Sequence, residues 1–405
     1  MLPEGWRRST LGQIAHITSG GTPARAEPSY WGGSIPWVTT GEIEFNTITD
    51  TAEKITEAGL KNSSAKLLAP GTLLLAMYGQ GKTRGQVAKL GIEATTNQNS
   101  AAILLDDGHD PDFYFQFLSW QYDSIRESGH SGGVSHLNAG LLKQIAVPVA
   151  PVGEQQRIAA ILSTWDRAIN LTTRLLANSS RQRRGLAQVL LSGERRLSPG
   201  PVWSAAKLGE LIVESRVRGS GGNTARKLTV KLYGRGVVEK TEKRMGSEST
   251  QYYRRSAGQF IYSKLDFLNG AFGCIPEHLD GFESTLDLPA FDFNLERASP
   301  RWLLHHVARE EFYRGQLGLA NGGRKARRVN PSDLLRVEIL LPDLREQQAI
   351  ADVIETACAE ERNLEKQVSA LRAQKSVLMA DLLTGKRRVH DCGAGTERGS
   401  LANAE

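Results

Sequence analysis

Cysteine is scarce in this chain of 405 residues: Cys274, Cys358 and Cys392 are the only three. They lie far apart and outside any Cys-x-x-Cys spacing, which argues against a disulfide framework and a cysteine zinc site. Long apolar runs are missing as well. No stretch reaches the roughly 18 to 20 residues of a membrane span, and the start "MLPEGWRRSTLG" lacks the apolar centre of a signal peptide. A cytoplasmic protein without a membrane partner is expected. Catalytic constellations are equally sparse. No Asp or Glu stands two residues before a lysine, no Pro-Pro pair occurs, and apart from His305-His306 the histidines are scattered. Neither a catalytic centre nor a metal site is expected.

Proline and glycine are absent where they would be most disruptive. Glu154 to Leu191 holds no proline and one interior glycine, Gly185; Glu346 to Leu383 holds neither. Pro151 and Pro342 precede these stretches, and Gly193 and Gly385 stand where C-terminal caps belong. Apolar residues recur at a spacing of seven. Ile158, Trp165 and Leu186 line up beside Leu162, Ile169, Leu176 and Leu190; Ile350, Ala357, Leu364, Leu371 and Leu378 line up beside Ile354, Val368 and Leu382. A two-row seam of this kind predicts coiled-coil helices of about 38 residues, roughly 57 Å each at 1.5 Å per residue.

The chain is written twice. "GEQQRIAAIL" at 153–162 and "REQQAIADVI" at 345–354 are the centre of a match that runs without a gap at an offset of 192 from Asn138 and Asn330 to Arg196 and Arg388. The beginning repeats too, Trp6-x4-Leu11-Gly12 against Trp203-x4-Leu208-Gly209. Each copy of about 200 residues opens with short strand-like runs, such as Thr72 to Met77, Ala101 to Leu105, Gln259 to Ser263 and Val337 to Leu341, and closes with the long helix. The fold class expected is α+β: two mixed α/β domains joined by two long antiparallel coiled-coil helices about a pseudo-two-fold axis. The boundaries expected are 1–150 and 198–342 for the domains, 151–197 and 343–389 for the helices, and 390–405 for a disordered tail.

Charge follows a different division. Lys plus Arg minus Asp plus Glu is −3 over 1–150, +5 over 151–199, +6 over 200–341 and −2 over 342–405. The basic excess of the middle and third quarter suits a polyanion. Cations on Gly-rich segments suit phosphate contacts and guanine recognition: Arg216, Arg218, Arg254, Arg255 and Lys264, then Arg324, Lys325, Arg327 and Arg328. In the first copy the candidates are Lys82, Thr83 and Arg84, with Thr22, Tyr30 and the segment His130 to His136. Ala76 to Thr83 also satisfies a loose phosphate-loop pattern. The following Arg84 to Gln98, with Gly85, Gly91, Thr95, Thr96 and Asn97, offers no helix to receive a phosphate. A P-loop NTPase is therefore the alternative, and a coiled-coil adaptor without DNA contact a third possibility.

The doubled Trp-x4-Leu-Gly, "YWGGSIPWVTTGEI" at 30–43, "TNQNSAAIL" at 96–104, "SKLDFLNGAFG" at 263–273 and the doubled Glu-Gln-Gln-x-Ile-Ala with its closing Leu-Leu-Ser/Thr-Gly resemble the specificity (S) subunit of type I restriction-modification enzymes. The likeness covers about residues 1–390. It implies that the two domains are target-recognition domains, each reading half of a bipartite, asymmetric sequence in double-stranded DNA about one helical turn apart, roughly 34 to 36 Å. It implies that the helices set the gap and dock two methyltransferase (M) subunits, with Glu154, Gln155, Ile158, Leu162, Trp165, Ile169, Glu346, Gln347, Ile350, Ile354, Leu364, Leu371 and Leu378 as spacer and interface positions. Restriction (R) subunits join the assembly. The S subunit is expected to catalyse nothing and to bind no cofactor directly; S-adenosylmethionine, ATP and Mg belong to its partners. The −3 charge of the first domain departs from a DNA-binding expectation.

Overall fold

The structure is a computed structural model, and it describes residues 2–79, 81–128, 136–197, 200–241, 246–321 and 327–389. The expected tail at 390–405 lies outside them. The chain forms two compact units, one made of residues 1–173 with 366–405 and the other of residues 174–365. Each therefore takes one globular region and one end of each long helix. The helices, Val152–Leu191 and Leu344–Leu382, run unbroken from one unit into the other.

In the first unit a five-stranded sheet is ordered Ala15–Ser19, Ser100–Leu105, Leu73–Ala76, Val87–Leu90, Thr47–Ile48. Alternation along its central strand sends Leu73 and Leu75 to one face and Leu74 and Ala76 to the other. The first pair joins a core with Phe113 and Phe117 of the helix Pro111–Trp120, Ile158 and Leu162 of one long helix, and Met379 and Leu382 of the other. The second pair packs on Val38, Ile43 and Ile48. The motifs at 30–43 and 96–104 meet in a smaller sheet, where Trp37 and Val38 pair in parallel with Thr95 and Thr96. Thr95 and Thr96 hydroxyls donate to the Pro36 and Val38 carbonyls (3.0 and 3.1 Å), and the Trp37 indole donates to the Gly21 carbonyl (2.9 Å).

The second unit has a four-stranded sheet, Ile212–Ser215, Ala290–Phe293, Phe260–Tyr262, Phe272–Cys274. Its core joins Phe260, Tyr262, Phe272 and Phe291 with Trp302, with Leu190 and Leu191 at the end of the first long helix, and with Ile350 and Ile354 near the start of the second. The expected runs at 72–77, 101–105, 259–263 and 337–341 are strands at Leu73–Ala76, Ser100–Leu105, Phe260–Tyr262 and Glu338–Leu341.

The doubled phrases are a doubled clamp. In the first unit Glu154 is buried, and its carboxylate accepts the Trp6 indole N–H (2.9 Å), Arg388 Nε and Nη2 (2.8 and 3.0 Å) and the Val389 N–H (3.3 Å). In the second, buried Glu346 accepts Trp203 (2.9 Å), Arg196 Nε and Nη2 (2.8 and 2.7 Å) and the Leu197 N–H (3.3 Å). The glutamines alongside are stitches. Gln155 Nε2 donates to the Ala150 and Gly108 carbonyls while its Oε1 accepts the Asp110 N–H; Gln347 does the same with Pro342, Arg297 and Ser299. Asp110 and Ser299 are the N-terminal caps of the domain helices Pro111–Trp120 and Pro300–Val307, so each Gln fixes a domain helix to the start of a long one. Gly193 and Gly385 adopt φ of 79° and 74°, as a C-terminal glycine cap requires.

Along the seam, Ile158, Leu162, Ile350 and Ile354 are buried, whereas Trp165, Ile169, Leu364, Leu371 and Leu378 are half-buried. Cations cross it in register. Arg183 Nε pairs with Glu361 (2.5 Å) in the second unit, and Lys375, 192 residues later, pairs with Asp166 (2.7 Å) in the first. Within each unit these contacts make the two helices antiparallel.

Burial by itself would raise the carboxyls of Glu154 and Glu346, but the arginine and indole hydrogen bonds outweigh it and hold both below their ordinary 4.5. Depressed carboxyls stabilise the fold above the unfolded value, and that contribution is lost as pH falls through the folded one. Thermal unfolding is expected to show a drop in Tm below about pH 4.5 that is blunted in a Glu154→Gln/Glu346→Gln double variant. At neutral pH, Glu154→Ala leaves the buried Trp6 N–H without its acceptor and is expected to cost roughly 1–3 kcal/mol, with a smaller loss for Glu154→Gln.

Candidate nucleic-acid interface

In the first unit, the strand Leu73–Ala76 turns back as Val87–Leu90, with Leu73 opposite Lys89 and Leu75 opposite Val87. Ala76 to Thr83 thus lies in a β-hairpin, not at the mouth of a helix. Its carbonyls are already engaged: Tyr122 Oη donates to the Lys82 carbonyl (2.5 Å), and Arg126 donates to the carbonyls of Gly81 and Arg84. Phosphate binding of the P-loop kind needs convergent N–H groups at a helix N-terminus, whereas the chain after this turn continues as the strand Val87–Leu90. Lys82 is exposed and Thr83 half-buried on the hairpin. Arg84 corrects the expectation: it is 3% exposed, with Nη2 toward the Arg126 carbonyl (3.4 Å), and holds the hairpin against the helix Tyr122–Ser128.

Thr22 and Tyr30 are half-buried and part of the local fold. The Thr22 hydroxyl donates to Gln98 Oε1, and Tyr30 closes a 3-10 turn whose carbonyl accepts the Thr56 N–H (3.0 Å). Beside the hairpin, exposed Tyr78 stacks on His136, with ring centroids 5.1 Å apart and planes 6° from parallel. Arg324, Lys325 and the segment 129–135 lie outside the described residues.

The cations of the second unit fall into two groups. Arg216, Arg218 and Arg254 come together because Arg218 pairs with Tyr253 across two strands and the Arg254 N–H donates to the Val217 carbonyl (2.9 Å). All three are exposed, and Arg216 is paired with Glu214 (2.8 Å). Arg218 and Arg254 sit on strands, and Arg216 lies in the two-residue connection between Ile212–Ser215 and Arg218–Gly221. Lys264, Arg327 and Arg328 form the other group: the Val329 N–H donates to the Lys264 carbonyl (2.9 Å), and exposed Arg328 lies 3.7 Å from Asp287.

Arg255 is the second correction. Its side chain is 0% exposed, with Nε on Ser284 Oγ (2.8 Å), Nη1 on the Ser215 carbonyl (2.7 Å) and Nη2 on the Leu288 carbonyl (3.3 Å). Desolvation pushes it down to about 10, still charged at neutral pH. It is a polar rivet beneath the arginines that do reach solvent. A run of two arginines cannot tell which is which in sequence; in the structure Arg254 ends the strand Gln251–Arg254 and is exposed, while Arg255, just past that end, is buried. Arg255→Ala is expected to destabilise the second unit by roughly 2–4 kcal/mol by emptying a buried site and removing the charged donor to the Ser215 carbonyl, while Ser284 Oγ keeps its bond to the Leu288 carbonyl, whereas Arg254→Ala leaves Tm within about a degree; thermal unfolding compares them.

Among the described residues no three His, Cys, Asp or Glu side chains gather as a metal site, and no helix is long and apolar enough to cross a membrane. Comparison with known proteins gives partial matches in sequence and a nearly full-length match in fold. Residues 3–178 match the Type I restriction modification DNA specificity domain. It is 30% identical over 173 residues to the type I restriction enzyme MjaIX specificity subunit of Methanocaldococcus jannaschii, and 28% identical over 170 residues to the EcoR124I/EcoR124II specificity subunit of Escherichia coli. Those matches span 42% and 40% of this chain, and 39% and 42% of the relatives' lengths. The fold is similar to the type I restriction-modification S subunit from M. genitalium over 94% of this chain and 96% of that one (TM-score 0.57, 12% identity). A chain solved in a study of complex assembly and conformational transition of the type I system is similar over 96% and 100% (TM-score 0.62, 17% identity).

Proposed function

We propose that this chain is the non-catalytic DNA-specificity subunit of a type I restriction-modification enzyme, with each globular region reading one half of a bipartite, asymmetric duplex sequence. One observation carries the proposal. The framework repeats group by group, Trp6, Glu154, Gln155 and Arg388 against Trp203, Glu346, Gln347 and Arg196, while the surfaces it carries diverge, from a −3 region to a +6 region. One mount bearing two unlike heads suits two unlike half-sites. The helices, continuous from unit to unit, are proposed to set the gap between half-sites and to dock two M subunits, with R subunits completing the enzyme. S-adenosylmethionine, ATP and Mg are assigned to those partners.

Phosphate contacts make affinity fall with salt, each one adding about 0.9 to the slope of log K against log salt. Arg327→Ala and Arg328→Ala are each expected to lower affinity for duplex DNA and to reduce that slope by about 1, measured by fluorescence anisotropy from 50 to 200 mM salt on the assembled complex. Unchanged slopes would remove this loop from the DNA. Exchange of 198–342 for the corresponding region of another specificity subunit is expected to change one half-site and leave the other intact, and a change in both would contradict independent heads.

A further inference from the structure

Two residues other than glycine hold a positive φ among the described residues, Phe45 at 55° and Tyr233 at 59°. Both are aromatic, and there is one in each unit. Bulky side chains are uncommon in that region of backbone space, so something must hold them there. Phe45 has a packing partner: its ring meets Tyr122 edge-on, with centroids 5.2 Å apart. Tyr233 does not have that explanation, since its side chain is 67% exposed.

Tyr233 sits at the turn between the paired strands Leu228–Val230 and Val237–Glu239. The turn is locked by main-chain bonds. Tyr233 N–H donates to the Asn269 carbonyl (2.9 Å), Gly234 N–H to the Gly270 carbonyl (2.7 Å) and Lys231 N–H to the Gly236 carbonyl (2.9 Å). Gly270, at φ 69°, leaves room for it: a Cβ there would come within 3.2 Å of Tyr233 Cα. The first two acceptors belong to the "SKLDFLNGAFG" segment, whose Lys264 carbonyl anchors Val329 beside Arg328. Lys231 and Arg235, two residues to either side of Tyr233 in sequence, are exposed, with the Arg235 guanidinium carbon 6.0 Å from the ring centroid. A ring presented to solvent on a rigid turn between cations has the makings of a base contact framed by phosphate contacts.

We infer that Tyr233 is a specificity-determining residue of the second recognition region, its ring laid against a base of the half-site while Lys231 and Arg235 hold flanking phosphates. The inference rests on the DNA-reading function proposed above. A random-sequence duplex library enriched on the parent complex, and on Tyr233→Ala, Tyr233→Phe and Tyr233→Gly complexes, tests it. The parent enriches two blocks separated by a gap. Tyr233→Ala is expected to lose base preference at one or two adjacent positions of one block and to bind the parent site about tenfold more weakly, with an unchanged salt slope; Tyr233→Phe keeps the preference. Tyr233→Gly, which suits the backbone, is expected to lose the same preference with Tm unchanged or raised, separating contact from folding. Tyr233→Ala enriching the same two blocks with affinity within about twofold of the parent overturns the inference and leaves the DNA-reading function standing. Intact DNA selection with weakened association of the methyltransferase subunits also overturns it, assigning the ring to a protein surface. A parent complex that enriches no sequence overturns the function itself.

Discussion

A buried carboxylate at the start of each long helix is the constraint on which the rest of this structure depends. Glu154 and Glu346 are out of water, and each is balanced by an arginine from beyond the end of the opposite helix and by an indole N–H from the segment that opens the unit. Burial of an unpaired carboxylate is expensive, so the charge is tolerable only when all three segments converge. The clamp makes the opening strand, one helix start and one helix end a single cooperative element. Gln155 and Gln347 extend it to the caps of the domain helices. A domain is thereby oriented by polar contacts of defined geometry as well as by apolar packing.

That arrangement explains why the repeat is written where it is. The residues that recur at fixed offset are the ones that build the clamp, the caps and the cross-helix cations Arg183 and Lys375. The residues that differ include both the core strands, Leu73 and Leu75 against Phe260 and Tyr262, and the exposed Arg216, Arg218 and Arg254 of the second unit. A protein that presents two different surfaces on one repeated mount can change what either surface meets without disturbing the mount, which is the property a bipartite reader needs.

Much of this was legible in the sequence. The missing prolines and the spacing of seven located both helices, and Gly193 and Gly385 ended them at the expected glycine caps. The phosphate-loop likeness failed for the reason visible in Arg84 to Gln98: the chain turns back as a strand. What stayed hidden depends on contacts between distant residues. Arg255 and Arg84 looked like surface cations, because nothing local reveals that Ser284, Leu288 and Arg126 close over them. The parallel pairing of Trp37 with Thr95 joins segments 58 residues apart, and the significance of Tyr233 lies in its backbone angle and exposure, which no local pattern carries.

One chain is proposed to read two separate half-sites. Methylation sequencing of the host genome, with and without this gene, addresses it most directly. The expected result is a methylated motif of two short, dissimilar blocks separated by a fixed run of unspecified bases, present in the parent and lost on deletion. A methylome unaltered by the deletion, or a lost motif that is a single uninterrupted block, would contradict it.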